Sequence, residues 1–172
     1  MNQKLMYLFV IAFGAMVLSC GDDEPKVDLP ASVKDSKTYS FGITAPAGAA
    51  VTLEKTLKLS DFTNIETYQK YVSQGVLNTE SYIDFVKIGS ENIELKEVTL
   101  QVKNNTKIKY NLGTVTGNFK FNDLADLNFL QLVANELVSK KEVVLQLTYS
   151  STNLISTESN LNIKFDITYK FQ

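Results

Sequence analysis

Histidine, arginine and tryptophan are missing from all 172 residues, and cysteine occurs once. Without His, the usual general base and zinc ligand is gone, which removes Ser-His-Asp hydrolysis and zinc chemistry. Without Arg, no planar fork holds phosphate or carboxylate through two parallel hydrogen bonds. Without Trp, the strongest ring for cation–π contact and sugar stacking is absent, although eight Tyr remain. A lone Cys, with no second thiol to pair and no imidazole to activate it, excludes redox chemistry. All 17 basic residues are Lys and stand against 19 Asp and Glu, so the mild acidity leaves no electrostatic footprint for nucleic acid.

What is present begins with an apolar run from Leu5 to Cys20. Lys4 supplies a positive n-region, and Leu5 to Leu18 has the length of the h-region of an export signal. An uncleaved membrane helix needs about 20 apolar residues, and this run stops short of that against Gly21, Asp22, Asp23 and Glu24. The segment therefore reads as a leader, residues 1–19, rather than a span.

The run closes on the only Cys, with small Ser19 before it and Val17 three positions before it. Val17-Leu18-Ser19-Cys20 resembles the lipobox of bacterial lipoproteins. That resemblance implies a diacylglyceryl group on the Cys20 thiol, cleavage just before Cys20, and acylation of the new amine. The expected covalent lipid at Cys20 is an anchor and no other cofactor is expected. The competing reading is a small core or chance cysteine behind an ordinary signal peptide. Gly21, in place of the Asp that retains enterobacterial lipoproteins in the inner membrane, implies the outer membrane. The cluster Asp22, Asp23 and Glu24 resembles the lipoprotein export signal of Bacteroidetes-type bacteria, which implies display on the outer face; the alternative is a solvated tether repelled by anionic headgroups. A calcium site is not expected there, because the ion needs about six to eight oxygens held by a turn and the spacing of a calcium loop is lacking.

Cleavage before Cys20 takes 19 residues and leaves 153, with 16 Lys against 19 acids and a side-chain balance of −3. That length suits one domain with a sizeable core. Residues 20–36 are polar, carry Pro25 and Pro30, and show no period, so they read as a lipidated tether reaching up to about 40 to 50 Å. The domain is then expected over residues 37–172.

From Lys37 the period is two. Tyr39, Phe41 and Ile43 alternate with polar or small residues, Thr44 to Gly48 is a turn, and Val51, Leu53, Leu57 and Leu59 follow, so a hairpin is expected. Between Ser60 and Gly75 the spacing lengthens, with Phe62, Ile65, Tyr68 and Val72 at three- and four-residue steps, Ser60 as N-cap and Gly75 as stop. A short amphipathic helix is expected there, with Tyr68 and Tyr71 read as core-facing rather than as a sugar platform. Tyr82 to Ile88 suits a strand, and Gly89 to Asn92 a turn. The apolar phase of Ile93 and Leu95 slips at Lys96-Glu97 before Val98, Leu100 and Val102, which predicts a β-bulge. After a turn at Asn104-Asn105-Thr106, Ile108, Tyr110 and Leu112 form one alternating set and Val115, Gly117, Phe119 and Phe121 another. Asn122-Asp123 opens a second helix through Ser139, with Asp123 and Asp126 as a capping pair rather than an acid–base pair. Val143 to Tyr149 and Leu161 to Phe171 alternate throughout and close the chain as strands.

Strands with one apolar face dominate, and two amphipathic helices sit between them. The expected fold is all-β: a two-sheet antiparallel β-sandwich, of which the immunoglobulin-like form is one option, with the helices over edges or open ends. The alternative is an α+β layer, one antiparallel sheet with both helices on one face. The short strands, interrupted by helices, lack the repeated lipid-facing girdles of an outer-membrane barrel.

Function is less legible than address. The expectation is a lipoprotein anchored in the outer membrane and exposed at the surface, a non-catalytic binding or assembly module for a glycan or an outer-membrane protein partner. Tyr82 and Tyr110 are the candidate contacts, with sheet packing as the competing role of each. One alternative is a carboxylate-dependent glycan-active enzyme, which needs an Asp/Glu pair about 5 to 9 Å apart across a cleft. The other is a purely structural envelope subunit.

Overall fold

The computed structural model describes residues 27–86 and 93–172. The leader, Cys20 and Gly21 to Glu24 lie outside them, as does the turn at Gly89 to Asn92. Among the described residues nine strands form two antiparallel sheets. The strands are β1 (Ser32–Ala45), β2 (Ala50–Lys58), β3 (Val72–Leu77), β4 (Tyr82–Val86), β5 (Glu94–Val102), β6 (Asn105–Thr116), β7 (Phe119–Phe121), β8 (Glu142–Ser151) and β9 (Ile155–Phe171). The first sheet runs β1-β9-β4-β7, with β3 also paired to β9; the second runs β2-β8-β5-β6. The molecule is therefore an all-β two-sheet sandwich rather than the single-sheet layer.

The centre of the first sheet is β9. Leu161, Ile163, Phe165, Ile167 and Tyr169 are all fully buried, because every second residue of an extended chain faces the same side. On one side β9 pairs with β1 from Lys170 back to Ile155. Its other side is shared: β4 takes Asn160 to Lys164 and β3 takes Ile167 to Phe171. In the interval between them the backbone of Asp166 is satisfied by Asn78 N–H and the Ser81 hydroxyl, and its carboxylate accepts from Asn78 Nδ2 and faces Lys34 Nζ at 3.3 Å. A buried charge needs such partners.

Several expectations need correction. The first strand begins at Ser32, within the stretch expected to be tether: Asp35 faces inward, accepting from Ser36 N–H and Asn64 N–H, and its polar character hides the alternation. The turn at Thr44 to Gly48 does not close a hairpin, for β1 joins the first sheet and β2 the second. Each strand has one apolar face, and facing each other across the core buries both rows. The expected helix from Ser60 to Gly75 is two 3₁₀ segments, Leu59–Asp61 and Thr63–Tyr71, followed by β3. Phe62, Ile65, Tyr68 and Tyr71 recur every third residue, which is the 3₁₀ period of three residues per turn, not the 3.6 of an α-helix. The alternating sets from Ile108 to Phe121 divide elsewhere than expected. β6 runs on through Gly113 (φ 72°) to Thr116, and Gly117 (φ 66°) then turns the chain into β7 of the other sheet.

Other local readings hold. Glu97 has φ 52° where the register shifts between Leu95 and Val98, the site of the expected bulge. Asn104, at φ 66°, forms the tight turn before β6. The α-helix, α1 (Leu124–Lys140), opens with a reciprocal capping box: Asp123 Oδ1 accepts from the N–H of Ala125 and Asp126, and Asp126 Oδ2 accepts from the N–H of Asp123.

α1 packs chiefly on β3, with β6 and β8 of the second sheet also against it, and so closes that flank of the sandwich. Phe129, Leu130, Val133, Ala134, Leu137 and Val138 form its buried face. The close approach depends on Gly75, read from sequence as a helix stop. A Cβ there meets Ile167 Cγ2 and Val138 Cγ2, each at 3.2 Å. Gly75→Ala is expected to destabilise the fold by about 1 kcal/mol, the overpacking outweighing the smaller unfolded-state entropy of Ala. In a Val138→Ala background, which removes one of the two methyls, the same change is expected to be close to neutral. Urea titration of the four chains of this cycle measures the coupling.

Candidate functional site

The two candidate tyrosines occupy different places. Tyr82 lies on the outer face of the first sheet, directly across from Lys164 of β9 and diagonal to Lys120 of β7. Lys120 Nζ stands 4.3 Å and Lys164 Nζ 5.8 Å from its ring centroid. The ring is thus held by cation–π contact. In the next row of this face, Asp84 lies between Asn162 and Lys120, and Ser40 Oγ donates to Asn162 Oδ1 at 2.7 Å.

Tyr110 belongs to the flank under α1. Its half-buried ring stacks on Phe129 with centroids 5.4 Å apart. Burial, then the neighbouring carboxyl of Asp126, push its phenol above the ordinary tyrosine range. Asp126 itself is raised, mainly by burial, while Asp123 is lowered, first by the N–H of Asp126. These opposite shifts follow from the capping box, in which the outer carboxylate accepts two N–H groups and the inner one, in the first turn of α1, is buried.

The described carboxylates are largely engaged. Asp61 accepts from the Tyr39 hydroxyl at 2.9 Å and from Lys58 N–H at 3.0 Å. Glu54 takes Lys103 and Gln146, and Glu136 takes Lys140 and Asn105. These hydrogen bonds hold Glu54 and Glu136 below the usual carboxylate range. Among the described residues no group of three or more His, Cys, Asp or Glu is placed to hold a metal ion, and no helix is long and apolar enough to cross a membrane.

The concavities differ in chemistry. A cleft of about 470 Å³ at the end of the sandwich is lined by Lys58, Lys70, Lys141 and Glu142 together with Ser60 and Gln69. A hollow of about 180 Å³ near the β5–β6 turn likewise holds Lys103, Glu136, Lys140 and Glu142. Along the seam between α1 and β3 no charged residue lines either hollow. The larger, about 420 Å³, has Ser73, Gln74, Asn135 and Ser139 at its walls and Val72, Gly75 and Val138 beneath. The smaller, about 170 Å³, is lined by Asn78, Thr79, Asn128 and Gln131 with Leu77 and Leu127.

Gln131 organises this seam. Its Nε2 donates to Gly75 O at 2.9 Å and to Asn135 Oδ1 at 2.8 Å, and its Oε1 accepts from Leu77 N–H at 2.8 Å. One side-chain amide thus occupies the edge of β3 as a further strand's peptide group does. The sequence alone singles out none of these seam residues as a site. The available signal was Asn128, Gln131, Asn135 and Ser139, which recur at three- and four-residue steps and share one helix face.

No family model matches the chain, and no curated protein matches it either.

Proposed function

We propose that the chain is a lipid-anchored, non-catalytic binding or assembly module on the outer face of an outer membrane. The carrying observation is Val17-Leu18-Ser19-Cys20 followed by Gly21 and the acidic Asp22, Asp23 and Glu24, which addresses the chain to that place. Eleven residues lie between Cys20 and Ser32, where β1 begins. At roughly 3 Å per residue this leash holds the sandwich up to about 35 to 40 Å above the lipid.

The absence of His and Arg and the engagement of carboxylates in caps, ion pairs and turns support a binding role over a reaction. Partners in this reading are the membrane, through the lipid, and a glycan or an outer-membrane protein. A protease added to intact cells tests the placement. The expected result is digestion of the sandwich while a periplasmic control protein survives. Protection until the outer membrane is broken overturns surface display.

A further inference from the structure

We propose that the uncharged seam between α1 and β3 binds a neutral oligosaccharide chain; this rests on the binding-module reading and names its ligand class. The seam runs past Gln131, with hollows of about 420 Å³ and 170 Å³ on its two sides. Its walls carry amides and hydroxyls, and Val72, Gly75 and Val138 lie beneath them. Amide groups offer paired donors and acceptors to vicinal sugar hydroxyls, and an apolar floor suits the C–H face of a pyranose ring. An anionic ligand finds no cation in either lining, unlike the clefts holding Lys58 and Lys103.

The amides are also oriented. Gln131 uses both carbonyl and amino groups within the protein, and by donating to Asn135 Oδ1 it turns the Asn135 amino group, with its two donors, away from itself. Gln74 and Asn128 are exposed at the walls and make no side-chain hydrogen bond among the described residues. Asn is a poorer helix former than Ala, Lys or Glu, yet Asn128 and Asn135 stand on the seam face of α1. An extended peptide is the less suitable occupant. It binds such an edge through backbone hydrogen bonds, and Gly75 O and Leu77 N–H are already taken by Gln131.

The test is native electrophoresis of the full chain, extracted in detergent, through gels containing neutral glucans, mannans, galactans or xylans, with a sulfated polysaccharide for comparison. At least one neutral polymer is expected to retard the protein. The Asn128→Ala/Asn135→Ala chain is expected to lose about tenfold or more in apparent affinity while its thermal unfolding midpoint stays near the parent's. Retardation by no neutral polymer, by the sulfated polymer alone, or equally in parent and double variant overturns the proposal. So does displacement of a bound glycan by unstructured peptide at comparable concentration. If glycan binding fails while protease on intact cells still digests the sandwich, the seam assignment falls and the surface module stands. If the sandwich is protected, the placement falls whatever the gels show.

Discussion

Cys20→Ser is expected to abolish acylation and to leave the chain with its leader attached, absent from the outer-membrane fraction. The thiol is the proposed lipid acceptor, and Cys20 is the only thiol in the chain, so no neighbour substitutes for it. The effect is close to all-or-none. Each buried methylene contributes about 0.8 kcal/mol to membrane binding, and several acyl chains together hold a protein durably; without them the variant keeps only the apolar run of its uncleaved leader, which has no route to the outer membrane. The readout is intact mass, together with labelling by a fatty-acid analogue. The parent is expected to begin at Cys20 and carry lipid, and the variant to retain the 19 residues before it and carry none. A bare Cys20 thiol in the membrane-extracted parent contradicts the anchor and removes the basis for surface placement.

Much of the local structure was legible because it depends on near neighbours. The alternation of Leu161 to Tyr169 marks β9, the phase slip at Lys96-Glu97 marks the bulge, and Asp123 with Asp126 marks the start of α1. Each signal is written within a few residues. Strand pairing is not local. β1 and β2 look like a hairpin because a turn joins them, but the partner of β1 is β9, over a hundred residues away. Nothing between Ser32 and Lys58 encodes that choice.

The 3₁₀ stretch is hidden in the sequence for a different reason. Three-residue steps from Phe62 to Tyr71 resemble one face of an α-helix over so short a window, and the two periods separate only over longer runs. Tyr82 and Tyr110 were visible as aromatic residues, yet their surroundings, two lysines for one and Phe129 with Asp126 for the other, come from strands and helices distant in sequence. The seam is the clearest case. Its amides on α1 were readable as a helix face, but not that β3 lies beside them with a glycine at the closest point.

If β9 is the strand on which both flanks depend, Phe165→Ala should be among the most damaging single substitutions in the domain. Phe165 lies between the stretch of β9 paired with β4 and the stretch paired with β3, and on the other side it pairs with Lys37 of β1. Its ring is fully buried and meets Tyr39 edge to face, with centroids 6.1 Å apart. Truncation removes both the transfer free energy of the ring and its packing partners, and a strand held by β1 along one side and by β4 and β3 to either end on the other has little room to collapse into the space. A loss of about 3 to 5 kcal/mol is expected. Against a total stability of about 5 to 15 kcal/mol, that is enough to unfold a marginal domain outright. Its neighbour Lys164 supplies the contrast: it points to the outer face, and Lys164→Ala is expected to stay within about 1 kcal/mol, the scale of the cation–π contact with Tyr82 that it loses. Urea unfolding of the two variants measures the difference, with an unchanged slope for both as the sign that the unfolded states are comparable. A Phe165→Ala loss no larger than that of Lys164→Ala means that the interior of the sandwich relaxes around β9, and the strand is then not the element that ties β1, β3 and β4 together.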